Sequence, residues 1–224
     1  MKNKILCGTI IITIIFFSLT NLAFAESEGV GWYVKRNGNN KPPIEKNFSF
    51  IERYNGYYVG KGEDKKICLT FDAGYENGNV EKILDILSEK NVKGAFFLLE
   101  HFITKNTNLV LRMVNEGHQI CNHTKKHKDL SAISSDDIDN EILGLEEVYF
   151  NKTGLKMDKY FRFPEGKFSE NALKRVSELG YKTVFWSFGY CDWDNNKQPD
   201  KDYALKLMLD NLHPGEIMLL HPTG

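Results

Sequence analysis

A few side chains in this sequence have the type and spacing for chemistry. Asp72 follows a run of strand-formers, Ile67-Cys68-Leu69-Thr70-Phe71, and is followed by Ala73 and Gly74. A carboxylate there can serve as a general base, ligate a metal, or cap the next turn. His123 and His127 form an H-x-x-x-H pair inside "GHQICNHTKKHKDL". On a helical turn two imidazoles four residues apart face the same side and can share one metal, although such pairs also arise on solvated faces. A metal held by imidazoles with a position left open lowers the pKa of water towards about 7. A neighbouring carboxylate can then take the proton, and Asp72 is the candidate.

Three further positions complete the set. Arg162 in "YFRFPEG" needs a carboxylate partner if it is buried, and orienting Asp72 is one use; a surface ion pair is the other. Pro164 and Gly166 fix a tight turn whose backbone N–H groups could face a developing oxyanion. His221 follows Met218-Leu219-Leu220 and suits the acid that protonates a departing nitrogen, or a structural histidine. Asp192 could hold its second ring nitrogen and favour the protonated form. Trp193 offers a flat face for a sugar, or a core filler.

The elements that must position these groups alternate. Strands are expected at 67–72, 94–99, 118–122, 160–163, 182–187 and 216–221. Helices are expected at about 79–90, 107–116, 134–150, 169–180 and 201–212. Asn79 is the expected cap of the first, Ser134 with Asp137 forms a capping-box pattern, and Ser169 caps a later helix. Gly117 and Gly180 stop two helices. Alternating strand and helix predicts an α/β fold with a parallel sheet and outer helices, either a closed barrel or an open sheet. Asp72, His123, Arg162, Asp192 and His221 all fall at the C-terminal ends of strands, the edge where ligands bind in such folds.

The chain has 224 residues, 42% hydrophobic and 26% charged, enough for one domain with a buried core. A net charge of -1 gives no basic face for nucleic acid. Residues 1–25 read as a signal peptide: Lys2 and Lys4, an apolar run from Ile5 to Leu19, and Ala23-Phe24-Ala25 as the cleavage site. The mature chain would start at Glu26, outside the cytoplasmic membrane, at the cell envelope and with no stable anchor. Residues 26–65 read as a lead-in packing loosely on a domain spanning 66–224. Cys7 leaves with the signal, and an odd set remains: Cys68, Cys121 and Cys191. Cys68 and Cys121 are expected to be buried in strands, and one bridge among the three stays open.

The order of these residues resembles the polysaccharide deacetylases of carbohydrate esterase family 4. The matching stretches are Thr70-Phe71-Asp72-Ala73-Gly74, His123-Thr124-Lys125-Lys126-His127, Arg162-Phe163-Pro164-Glu165-Gly166, Asp192-Trp193 and Leu219-Leu220-His221. The resemblance implies a distorted (β/α) barrel and metal-dependent removal of acetyl groups from N-acetyl sugars. It implies Asp72 as base, His123 and His127 as metal ligands and Arg162 as the residue positioning the base. It also implies the Glu165 backbone N–H at the oxyanion, Leu219 at the acetyl methyl, and His221 as acid supported by Asp192. Zinc is the metal such donors suit. "TFDAGYENGN", "GHQICNH", "TVFWSFGYCDW" and "GWYVKRNGNNKPP" are similar to the branch acting on N-acetylmuramic acid of peptidoglycan glycan strands, linked to muramic δ-lactam in spore cortex.

Two departures stand against the resemblance. The family's second aspartate, its third metal ligand, is Ala73 here. A replacement oxygen is expected from Asp72, Glu76 or Asn77, with two histidines plus waters as the alternative. Family members also continue past the L-L-H strand with a helix and a last strand, whereas this sequence stops at Gly224. A barrel lacking that closing element, with an exposed sheet edge, is the expectation. Competing functions are a glycan-binding remnant without catalysis and a deacetylase acting on N-acetylglucosamine or chitin-type polymers.

Overall fold

The computed structural model describes residues 29–60 and 65–222. The expected signal peptide lies outside the described residues. In chain order the elements are β1 (Val30–Gly31), β2 (Gly56–Tyr57), β3 (Ile67–Ala73), α1 (Asn79–Glu89), β4 (Ala95–Leu98), α2 (Glu100–Lys105), α3 (Thr107–Asn115) and β5 (Gln119–Asn122). They continue with α4 (Ser135–Thr153), β6 (Tyr160–Phe161), β7 (Lys167–Phe168), α5 (Glu170–Glu178), β8 (Lys182–Val184), α6 (Lys201–Leu209) and β9 (Glu216–Leu220). Among the described residues, seven strands form one parallel sheet in the order β2-β8-β6-β5-β4-β3-β9, and β1 pairs antiparallel with β7. No helix among the described residues is long and apolar enough to cross a membrane.

Strand alternation sorts the side chains into two layers. Phe71 and Ala73 of β3, Phe96 and Leu98 of β4 and Ile120 of β5 turn outward and pack with Val80, Leu84, Phe102, Val110, Met113 and Leu145 from the helices. Their neighbours in sequence, Asp72 on β3 and Phe97 on β4, are paired in register and turn the other way. The parallel ladders therefore bring Asp72, His123, Arg162 and His221 to one edge of the sheet, as the sequence predicts.

The caps follow the sequence with one exception. Ser134 accepts from Asp137 N at 3.2 Å and Ser169 from Ala172 N at 3.3 Å. Gly117 and Gly180, both at positive φ, close α3 and α5. Asn79 does not cap α1. Gly78, left-handed at φ 91°, holds that place, and Asn79 is already helical.

Three expectations need correction. The lead-in is not loosely packed: Trp32, Phe48, Ile51, Tyr58 and Val59 are buried together with Phe161, Phe163, Phe168, Val176, Tyr181 and Phe185. Burying each such side chain is worth roughly 1.5–3 kcal/mol, so this segment supplies a substantial part of a second core. The outer edge of β9 is not bare either. The sheet curls until the chain beyond β8 reaches it: Ser187 and Phe188 donate to Ile217 O, and Leu219 N donates to Phe188 O at 2.9 Å. On the same side Gly60 N donates to Gly215 O at 2.7 Å. Finally, Cys68 is exposed, on the first stretch of β3, which pairs with β9 but has no β4 neighbour until Thr70, while Cys121 is fully buried. The three cysteines among the described residues are free thiols.

Candidate active site

Arg162 is the hub. Its side chain is fully buried just after β6 and spends its donors on three acceptors: Asp72 Oδ1 at 2.7 Å, Thr70 Oγ1 at 2.9 Å and Val184 O at 3.0 Å. The guanidinium also lies 4.1 Å over the Phe97 ring. Burial pushes the Asp72 carboxyl up, but the Arg162 charge and hydrogen bond, with His221 assisting, outweigh it and hold it below the usual range. Asp72 is thus ionised at neutral pH.

The backbone of the same residue fixes His123. His123 Nδ1 lies 2.9 Å from Arg162 O, and a carbonyl can only accept, so the proton sits on Nδ1. Nε2 is left with its lone pair, 3.5 Å from Asp72 Oδ2. Burial lowers the His123 pKa to about 4, so the ring is neutral. His127 comes beside it with ring centroids 5.1 Å apart, yet not on a helical turn as the spacing suggests. Residues 123–127 form a loop in which Thr124 and His127 both have positive φ, 73° and 56°. Non-glycine residues adopt that region rarely, and here hydrogen bonds hold it. Buried Asn122 accepts from Thr124 N at 2.9 Å, and Thr124 Oγ1 accepts from His127 N at 2.9 Å.

Beside Asp72, one residue past the pairing of Phe71 with Leu220, stands His221. Its Nδ1 is 2.7 Å from Asp192 Oδ1, and its backbone N donates to Asp192 Oδ2 at 2.8 Å. Burial pulls the His221 pKa down, but the Asp192 hydrogen bond and the charges of Asp72 and Asp192 more than reverse this and raise it above the ordinary value. The cleft has a volume of about 1040 Å³, and Asp72, His123, His127, Glu165, Trp193, Leu219 and His221 all line it. Arg162 and Asp192 stand behind it. Leu219 is nearly buried, Trp193 is 54% exposed with its edge towards His221, and Glu165 sits at φ 54° in the turn Pro164–Gly166.

An ionised carboxylate locked by a buried arginine and an imidazole held by a carboxylate therefore line one cleft side by side, in the motif order read from the sequence. Residues 59–184 match the polysaccharide deacetylase family. The chain belongs to that family. It is accordingly a hydrolase of carbon–nitrogen bonds other than peptide bonds. Peptidoglycan-N-acetylmuramic acid deacetylase PdaA of Bacillus subtilis is 43% identical over 200 residues, covering 88% of this chain and 76% of the relative. A peptidoglycan-N-acetylglucosamine deacetylase of Bacillus cereus is 37% identical, covering 79% of this chain and 62% of the relative. The solved structure of Bacillus subtilis PdaA, a family 4 carbohydrate esterase, superposes with a TM-score of 0.84 at 42% identity, covering 88% of this chain and 85% of that one.

Deacetylases of this family are generally metal-dependent. The donors fit a divalent cation held by two imidazoles, His123 through its bare Nε2 and His127 beside it, with the Asp72 carboxylate adjacent. Among the described residues no group of three His, Cys, Asp or Glu side chains converges as a metal site. Of the three expected replacement oxygens, Asp72 is at the site, whereas Glu76 and Asn77 turn to the start of α1, where one Glu76 oxygen, Oε2, is buried without a partner among the described residues. Glu76 accepts from Gly78 N and Asn77 from Asn79 N, and neither lines the cleft. Ala73 is fully buried in the outer apolar layer.

Sequence reasoning missed several walls of this deacetylase cleft. Thr70 anchors Arg162 and itself donates to Met218 O at 2.6 Å, tying β3 to β9. The Tyr75 and His101 rings meet at a 44° tilt, 4.7 Å apart, and both line the cleft, as does Trp186. The glycine after Asp72 signals that a following side chain reaches the rim, but His101 and Trp186 have no comparable mark.

Proposed function

We propose that this chain removes the acetyl group from N-acetylmuramic acid units of peptidoglycan, with zinc held by His123 and His127. On this reading residues 1–25 direct it across the cytoplasmic membrane, and it acts at the cell envelope on the route to muramic δ-lactam in spore cortex. The carrying observation is the pair in one cleft: Asp72 held ionised by Arg162, and beside it His221, whose pKa the Asp192 hydrogen bond raises.

Asp72 takes a proton from the attacking water as the new carbon–oxygen bond forms at the acetyl carbonyl. His221 gives a proton to the amide nitrogen as the carbon–nitrogen bond breaks, releasing acetate and the free amine. A divalent cation at the imidazole pair supplies Lewis-acid polarisation of the oxygens brought to it. The backbone N–H of Glu165 serves the developing oxyanion, Leu219 accommodates the acetyl methyl, and exposed Trp193 offers its face to the sugar. Choice of muramic acid is supported by the identity to the N-acetylmuramic acid deacetylase, while the B. cereus relative favours N-acetylglucosamine as the second reading.

Mass spectrometry of glycan strands digested after incubation with the protein and zinc tests both. The expected result is loss of one acetyl mass from muramic acid alone. Loss from glucosamine alone would select the second reading, and no loss from either sugar would refute a peptidoglycan deacetylase.

A further inference from the structure

A second cleft of about 480 Å³ lies beside the catalytic one, and Trp186 forms part of the wall of both. Gly166 marks one end of the indole: a Cβ there would fall 2.6 Å from Trp186 Cη2. Gly189 marks the other, where a Cβ would meet Trp186 Cδ1 at 3.4 Å and Nε1 at 3.5 Å. The Trp186 indole therefore stands between the two spaces. The lead-in builds the far wall. Trp32 N donates to Gly166 O at 2.9 Å and Trp32 Nε1 to Trp186 O at 2.9 Å, so this wall is fastened to the catalytic turn.

Two side chains of the second cleft have no part in the core or the chemistry. Tyr33 is 47% exposed, but Phe48 braces its ring at 5.3 Å in an edge contact. A rigid, exposed aromatic face is a platform for a sugar. Arg36 is equally fixed. Its guanidinium lies 5.5 Å over Phe188 and its Nη2 donates to Gly189 O at 2.9 Å. Among the described residues no carboxylate pairs with it, and most of its five donors stay unspent. Lys35 beside it is offset by Glu45 at 3.1 Å. The lining of this cleft holds two cations and no acid, whereas the catalytic cleft carries Asp72, Glu100 and Glu165.

We infer that the second cleft extends the glycan groove, with Tyr33 supporting a sugar ring and Arg36 pairing with a carboxylate borne by the strand. The lactyl ether carboxylate of muramic acid has that chemistry, and a planar guanidinium fork matches it with two donors. The inference rests on the deacetylase reading of the adjoining cleft. It gives the lead-in a second purpose: the segment that completes the core also selects acidic strands.

The test uses the full chain and peptidoglycan strands stripped of peptides, prepared with lactyl carboxylates either free or converted to amides. Binding is read by tryptophan fluorescence or calorimetry. The wild-type chain is expected to bind the free-carboxylate strands about tenfold tighter than the amides, the weight of one charge-assisted hydrogen bond. Arg36→Gln abolishes that preference, Arg36→Lys restores part of it, and Tyr33→Ala weakens both strands alike. An Arg36→Gln protein that keeps the wild-type preference overturns the proposal. So does a wild-type chain with no preference. Acetate release by the wild-type chain is read in parallel. A chain that releases none yet keeps an Arg36-dependent preference refutes the deacetylase reading while supporting this subsite.

Discussion

Replacing Arg162 by methionine probes the hub directly. The change keeps most of the volume over Phe97 and removes a charge with three hydrogen bonds, to Asp72, Thr70 and Val184. Asp72 then remains buried without its cation. Removing one partner of such a pair costs about 3–5 kcal/mol, a large part of a typical total of about 5–15 kcal/mol. The loss depends on pH with a definite sign. In the wild-type chain the folded Asp72 pKa lies below its usual value of 3.8, so its stabilisation is full above that value and is lost as pH falls through the lowered one. In the variant, burial acts unopposed by the guanidinium and the carboxyl titrates higher. The gap between the two proteins is therefore widest near neutrality and narrows as both carboxyls take up protons in acid. Urea titrations followed by tryptophan fluorescence at about pH 7 and about pH 4 measure it. An Asp72→Asn, Arg162→Met double variant recovers part of the loss, because no unpaired charge is left. A single-variant loss below about 1 kcal/mol, or an equal gap at both pH values, would show that the pair is not the buried interaction argued above.

Asp192→Asn weakens the support of His221 and lowers its pKa. An acid must be protonated to act, so the alkaline limb of the rate profile moves to lower pH; an unmoved limb refutes the role. Gly166→Ala places a Cβ 2.6 Å from Trp186 at a φ of 66°, and is expected to lower stability by roughly 1–3 kcal/mol, with an unchanged melting midpoint as the contrary result. Chelation abolishes acetate release and zinc restores it. Equilibrium dialysis shows less zinc on His123→Ala and His127→Ala than on wild type, and equal loading of all three would remove the imidazole pair from the metal account.

The catalytic side of the fold was open to reading because it obeys short-range rules. The polar candidates fall at or just past the ends of their strands, and parallel pairing alone carries Asp72, His123, Arg162 and His221 to one edge. Features that depend on distant contacts were hidden. Trp32, Phe48 and Ile51 reach the core at irregular intervals along a segment with no period, so nothing local marks them as buried. The H-x-x-x-H spacing was read as helical because four residues suit a helix, whereas tertiary bonds from Asn122 and Thr124 impose left-handed backbone instead. The closing of β9 by Ser187 and Phe188 follows from sheet curvature, which no single strand announces.

Arg162 meets Asp72, the proposed base, through its side chain and His123 through its carbonyl. A change of residue at this position can alter the first contact, but the second belongs to the main chain and survives any substitution that keeps the backbone in place. Selection at position 162 can thus retune proton abstraction while leaving the imidazole's tautomer as it was. Drift in the backbone there has the opposite effect, disturbing both partners together. Asp72 and His123 are thus both held from one alpha carbon, and an insertion there would displace both contacts together.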